Sequence, residues 1–161
     1  MKQNDLSELN KILNEHNYIL IEKSHFAAVN IDDKAPRFTP SIFQANVDVN
    51  VQEMLLFTDV LISDYSGAFL DFLLLDRPVI HYVYDYSFYS ERDSGLYYNL
   101  DDFASGDTPS TFEQLLNSIS DAVTGKDAYF ERRKLVLERF MKYENGTASK
   151  SLFKRIVLGE N

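Results

Sequence analysis

The sequence predicts one α/β domain with a mainly parallel sheet and a helical C-terminal half. Three observations carry that expectation. Helical and strand-like apolar patterns alternate as far as residue 83, the strand-like runs are short and continuously apolar, and residues 111–157 carry helical patterns only. A length of 161 residues suits a single domain with a core of its own, and 45% apolar against 25% charged residues is ordinary for a folded chain.

The elements follow in order. Leu6, Leu9, Ile12 and Leu13 recur three and four apart, which makes the first element an amphipathic helix. After a turn at His16-Asn17, Tyr18-Ile19-Leu20-Ile21 reads as a buried strand that ends in Glu22-Lys23-Ser24-His25. Residues 26–47 hold Pro36, Pro40 and mixed charge and read as loop, with Ser41-Ile42-Phe43 as a brief extended piece. Asn50 three residues before Glu53 is an N-terminal capping signal for a short helix through Leu56. Val60-Leu61-Ile62 is the clearest buried strand; it runs into Asp64-Tyr65-Ser66-Gly67, and residues 68–75 continue as an almost wholly apolar helix that Arg77-Pro78 ends. Residues 79–83 form the next strand, 84–99 a Tyr-rich acidic connection and 100–109 a polar loop, before helices over 111–123, 127–143 and 147–157. Neither a repeat nor a composition break marks a second domain.

Composition excludes several function classes. A formal net charge of −9 gives a polyanion no general reason to approach, so nucleic acid is not an expected partner. No apolar run approaches the ~18 residues of a membrane span, and the start lacks the apolar stretch of a signal peptide, which predicts a cytosolic address. The absence of cysteine rules out disulfides, thiolate catalysis and zinc–sulfur sites. With no helical His pair, no carboxylate cluster of metal-binding spacing, no GxSxG and no GxxxxGK[ST], a metal enzyme, a serine hydrolase elbow and a Walker ATPase are not indicated.

Ligands of open α/β sheets bind beyond the carboxyl ends of the strands, and three such ends carry chemistry here. Ser66 lies near the N-cap of the helix after the third strand, where free N–H groups and the helix dipole can hold a phosphate, and Gly67 lets an anion come close. The same residues also read as a plain cap and turn, with Ser66 capping and Asp64 closing the bend. His25, after Lys23, titrates near neutrality and can act as acid, base or charged phosphate ligand, or be a hydrogen-bonded strand-end residue. His81 lies inside a strand and reads as a packed core histidine; His16 reads as a charge at a helix end. Tyr82, Tyr84, Asp85, Tyr86, Phe88, Tyr89, Tyr97 and Tyr98 can wall a nucleotide pocket, cover a sheet edge or meet another domain.

The order of these segments resembles the CDP-glycerol glycerophosphotransferases that build teichoic acid and related polyol-phosphate polymers. The C-terminal half of that family has Lys-x-His-Pro after a strand, Ser/Thr-Asp-Tyr-Ser-Ser before a Phe-Asp-Phe helix, Arg-Pro before a strand, Asp-x-x-x-Tyr, Gly-Phe/Tyr-Tyr and a closing Asp-Gly-x-Ala-Ser. Here those read Lys23-Ser24-His25-Phe26, Ser63-Asp64-Tyr65-Ser66-Gly67, Phe69-Leu70-Asp71-Phe72, Arg77-Pro78, Asp85 with Tyr89, Gly95-Leu96-Tyr97-Tyr98 and Glu144-Asn145-Gly146-Thr147-Ala148-Ser149. Phe26 replaces the usual Pro, Gly67 replaces the second Ser, and the Pro-Gly-Pro expected near Asp107 is absent.

The resemblance implies a Rossmann-like domain, the C-terminal half of a GT-B glycosyltransferase-like enzyme, that holds a CDP-glycerol or CDP-ribitol donor. Its acceptor would be a polyol phosphate on a lipid carrier and its other product CMP. It implies His25 as the catalytic residue and Lys23, Arg37, Asp64, Ser66, Gly67 and Asp71 as substrate-binding residues, with no cofactor and no metal. The acceptor half, with a second catalytic histidine, would come from a missing N-terminal half or a partner chain, and the whole enzyme would sit peripherally at the inner face of the cell membrane. On that reading the isolated chain is inactive. A non-catalytic nucleotide-binding or regulatory module of the same fold is the alternative. A receiver-type signalling domain fits less well, since no acidic pair ends the first strand.

Overall fold

The computed structural model describes residues 3–23, 40–46, 48–92 and 96–159. Helix α1 (Gln3–Glu15) buries Leu9 and Leu13, the inner positions of its predicted stripe. Asn17, at φ 58°, takes the left-handed turn that Asn tolerates. Strand β1 (Leu20–Glu22) then pairs in parallel with β2 (Ile42–Gln44), Leu20 opposite Ile42. β1 starts two residues later than its apolar run suggests and is not buried throughout. Tyr18 and Leu20 pack on the core while Ile19 and Ile21 face outward, because the period of a strand is two.

Helix α2 (Val51–Phe57) opens on the predicted cap, with the Asn50 side-chain oxygen accepting the N–H groups of Gln52 (2.9 Å) and Glu53 (3.4 Å). Its last carbonyls are met from a distance: the Arg77 guanidinium donates to Leu56 O (3.0 Å) and Thr58 O (2.7 Å). Strand β3 (Leu61–Ser63), helix α3 (Ala68–Leu73) and strand β4 (Val79–His81) form a right-sized parallel crossover, with Leu61 opposite Val79 and Ser63 opposite His81. Helices α4 (Tyr86–Arg92), α5 (Leu100–Phe103), α6 (Phe112–Val123), α7 (Phe130–Met141) and α8 (Ala148–Phe153) follow, and a π-helical turn (Lys154–Leu158) extends α8.

Two predicted loops are more ordered than expected. Residues 84–99 contain α4, and residues 100–109 contain α5 and then a second parallel partner for β4. On that edge Asp107 O accepts the His81 N–H (2.8 Å) and Pro109 O accepts the Val83 N–H (2.9 Å), while on the other edge Ser63 O accepts the Tyr82 N–H (2.7 Å). A strand buried at all three residues needs acceptors on both sides, and a polar stretch with only a few apolar residues supplies one of them. Gly106 permits the approach: a Cβ there would lie 1.7 Å from Val79 O.

β4 separates two apolar layers. Ile80 joins Leu9, Leu13, Ile42, Leu115, Leu116 and Ile119 on the α1/α6 side. Val79 joins Leu55, Phe69, Phe72, Leu73, Phe103 and Val136 on the side of α2, α3, α5 and α7. α6 is fixed at its start by a reciprocal box in which Thr111 Oγ1 accepts the Gln114 N–H (3.2 Å) and Gln114 Oε1 accepts the Thr111 N–H (3.2 Å). α7 is tied in by Arg133, 2% exposed, whose guanidinium grips Asp127 with two bonds (2.8 and 2.5 Å) and reaches Asp76 at 3.5 Å. In contrast α8 and the π-helical turn bury no residue, and Leu152, Phe153, Ile156 and Val157 stand exposed.

Gly106→Ala should destabilise the fold by roughly 1–3 kcal/mol, the scale of overpacking against immovable backbone. Urea unfolding measures this, and a midpoint equal to wild type would show that residues 106–109 are not pressed against β4.

Candidate functional site

Asp64-Tyr65-Ser66-Gly67 leaves the carboxyl end of β3 and enters α3 through a tight bend. The Asp64 carboxylate accepts the Ser66 N–H at 2.9 Å, and the Ser66 hydroxyl oxygen lies 3.4 Å from the Ala68 N–H. The helix begins at Ala68, as the sequence suggests, and its N-cap residue is Gly67, beside Ser66 and without a capping side chain of its own. Gly67 sits at φ −63°, a conformation open to any residue, and a Cβ there would meet nothing within 4 Å. Asp64, Ser66 and Gly67 are all exposed. The Asp64 carboxylate has therefore claimed one N–H of the bend, while the Gly67 N–H has no partner among the described residues.

Tyr65 faces the other way. Its hydroxyl donates to Asp85 Oδ1 at 3.0 Å, and its ring stacks on Tyr89 with centroids 4.2 Å apart and planes at 20°. Burial, first, and the acceptor carboxylate of Asp85, second, push the Tyr65 hydroxyl well above the usual phenol range, so it stays a donor at every physiological pH. The in-register pairing of Ser63 with His81 makes this contact: residues just beyond two adjacent parallel strands come to lie side by side. Sequence reasoning placed Tyr65 and Asp85 in separate motifs and missed the pairing, although strand register carries the signal.

The aromatic residues divide between two tasks. Tyr86 and Tyr89 both pack on Tyr65. Tyr97 and Tyr98, with Tyr65, Gly67, Leu96 and Phe140, line a cavity of about 210 Å³ beside the start of α3. Tyr98 is held in its wall by an edge-on contact to Phe140 (5.0 Å) and by the Arg139 guanidinium over its ring (5.5 Å). Tyr84, Phe88 and Tyr97 are 64%, 60% and 96% exposed, an open aromatic surface next to the bend.

Of the other expected site residues, Lys23 follows β1, and its Nζ donates to Asn46 O beyond β2 at 3.4 Å. Asp71 projects from α3 into solvent between the buried Phe69 and Phe72. His25 and Arg37 lie outside the described residues. Among the described residues no cluster of His, Asp and Glu has the form of a metal site, and no helix is long and apolar enough to cross a membrane.

Directly beneath the bend lies His81, fully buried between Phe69 and Phe103, as its place in the strand predicts. The Ser105 N–H donates to its Nε2 at 3.2 Å, and Ser105 Oγ lies 3.0 Å from the same nitrogen. Nε2 is thus an acceptor, and the ring proton belongs on Nδ1. Burial drives the His81 pKa down from 6.5 to about 4, against a smaller opposing contribution from the Asp64 main chain. Nδ1 nevertheless makes no hydrogen bond among the described residues. Desolvation decides the direction.

Residues 1–158 match the family described as CDP-Glycerol:Poly(glycerophosphate) glycerophosphotransferase. The teichoic acid poly(glycerol phosphate) polymerase of Bacillus spizizenii is 30% identical over 154 residues, which are 95% of this chain and 38% of that protein. The teichoic acid ribitol-phosphate polymerase TarK of Staphylococcus aureus is 26% identical over 151 residues, 93% of this chain and 28% of that protein. A solved structure of a histidine variant of the wall teichoic acid polymerase TagF, soaked with CDPG, superposes with a TM-score of 0.74 at 26% identity, covering 92% of this chain and 36% of that one. The α/β fold with short parallel strands and a helical C-terminus is that of TagF, and the chain spans less than two-fifths of the length of these relatives.

His81 makes a pH prediction. The unfolded histidine binds its proton near pH 6.5 and the folded one only near 4, so the stabilisation is complete above pH 6.5 and is lost as pH falls towards 4. The loss should reach on the order of 3 kcal/mol. NMR titration of the imidazole measures it, and protonation of His81 near pH 6.5 in the folded protein would refute it.

Proposed function

This chain belongs to the CDP-glycerol:poly(glycerophosphate) glycerophosphotransferase family, and from that premise we propose that it is the donor-binding half of such a transferase. The reaction passes glycerol phosphate, or a related alditol phosphate, from a CDP-linked donor to a hydroxyl of a growing polyol-phosphate chain on a lipid carrier. A new O–P bond forms to the acceptor, the phosphoanhydride bond breaks, and CMP leaves.

Displacement at phosphorus builds charge on the departing phosphate, so the groups that matter are donors and cations fixed before reaction. The bend after β3 supports this reading most directly. It brings the Ser66 hydroxyl and the unpartnered Gly67 N–H to an exposed strand end, beside the aromatic-lined cavity, in a chain that matches the family over residues 1–158. His25 is assigned the leaving phosphate as acid or charged ligand, with Lys23 and Arg37 adding positive charge and Asp71 contacting the donor. The base for the acceptor hydroxyl is assigned to the other half of the enzyme, which supplies the acceptor side and the attachment to the inner face of the membrane.

A second reading, a nucleotide-binding module without turnover, has one observation in its favour. Asp64 already takes the Ser66 N–H, and Gly67 brings no hydroxyl where relatives of this pattern carry serine. The space at Gly67 is open, however, so the lost group is a hydroxyl and not a shape.

Calorimetry of the chain with CMP, CDP-glycerol and CDP-ribitol tests the proposal. Binding of at least one is expected, and Ser66→Ala should weaken it by roughly 1–2 kcal/mol, the scale of a lost charge-assisted hydrogen bond. Gly67→Ser should fold normally and bind at least as well as wild type. Absence of binding to all three ligands would sink the donor-site reading.

A further inference from the structure

Tyr65 lies within the bend on which the donor site depends and in the wall of the neighbouring cavity, and its hydroxyl is committed to Asp85. The side chains of residues 64–67 send one hydrogen bond beyond the bend itself among the described residues, and it is the Tyr65 hydroxyl on Asp85 Oδ1 at 3.0 Å. The ring adds a stack on Tyr89, 4.2 Å between centroids. Both partners belong to one rigid unit, since the Tyr89 N–H donates to Asp85 O at 2.9 Å across the first turn of α4. Among the described side chains no lysine or arginine pairs with Asp85, and its carboxylate holds the phenol. Without that tether the side chains of the bend keep only local bonds, Asp64 to the Ser66 N–H and the Ser66 hydroxyl to the Ala68 N–H, beside the main-chain bond from the Leu70 N–H to Gly67 O.

We infer that Tyr65 is a positioning residue: its hydroxyl on Asp85 and its ring on Tyr89 hold the Ser66 hydroxyl and the Gly67 N–H at the spacing that receives the phosphate of a cytidine nucleotide. The inference rests on the donor-site reading of the bend. It also gives two motifs one physical purpose, because Asp85 and Tyr89 act on the site through Tyr65. A hydrogen bond of this kind orders the donors before the ligand arrives, which is where affinity is gained cheaply.

The test compares CMP with cytidine, which lacks the phosphate, by calorimetry on the chain and its Tyr65→Phe, Asp85→Ala and Asp85→Asn variants. Tyr65→Phe and Asp85→Ala should each weaken CMP about three- to tenfold, the range for one net hydrogen bond, and leave cytidine unchanged. Asp85→Asn should stay near wild type, because its amide oxygen still accepts the phenol. Tyr65→Phe combined with Asp85→Ala should be no weaker than either alone, the signature of a shared bond. Equal weakening of CMP and cytidine would mean general loosening and overturn the inference. So would a Tyr65→Phe protein that binds CMP as wild type while Ser66→Ala does not, and in that case the donor site stands. If both variants bind CMP as wild type does, the donor-site reading falls with it. Should Tyr65→Phe fail to fold, the contrast between Asp85→Asn and Asp85→Ala decides.

Discussion

A strand buried on both faces must hand every peptide group to a neighbour, and in this chain that demand falls on β4. All three of its residues are buried, and their N–H and C=O groups cannot turn to water. β3 meets one edge and residues 107–109 the other, both in parallel. Parallel partners require crossovers, and the crossovers are the helices that fill the two apolar layers. Gly106 and the neutral His81 serve the same demand. One removes the atom that would hold the third segment away, and the other fills the strand's inner side without introducing a charge.

The same parallel arrangement decides where chemistry can occur. Strands pointing one way bring their ends together, so Asp64 to Gly67 after β3 and Asp85 to Tyr89 after β4 become neighbours although about twenty residues separate them. The net charge of −9 makes the donor problem sharper, since an anionic ligand approaches against the field of the whole molecule. Local N–H groups, a hydroxyl and a few cations have to overcome that field at close range. Fixing those groups in advance therefore matters more here than it would on a basic surface.

Much of this was legible because it follows from local chemistry. Asn50 caps α2, Arg77-Pro78 closes the α3 segment, His81 is a core residue, and the order of short motifs identifies the family. What escaped is non-local. Residues 100–109 look polar, and nothing in their own pattern says that β4 needs their carbonyls; the edge segment is set by a partner about twenty-six residues away. Tyr65 and Asp85 look like separate motif letters until register joins them. The run at residues 18–21 looks fully buried, but only alternate residues find a partner layer. Of the expected site, the bend after β3 and the positions of Lys23 and Asp71 can be described, and its roles rest on the proposal above.

The alternation at β4 also sets how this protein opens. Three consecutive amides, those of His81, Tyr82 and Val83, are held by three separate carbonyls, Asp107 O, Ser63 O and Pro109 O, on alternating sides. Fraying of either neighbour frees some of them and never all, so the full set is released only when both edges of the strand part together. In hydrogen–deuterium exchange Tyr82 then tracks the loss of β3 and His81 and Val83 the loss of the Asp107 segment, and only release of all three together reports global unfolding. α8, with no buried residue, would exchange by local opening long before them. A single exchange profile would thus separate the cooperative unit built around β4 from the helix that merely follows it.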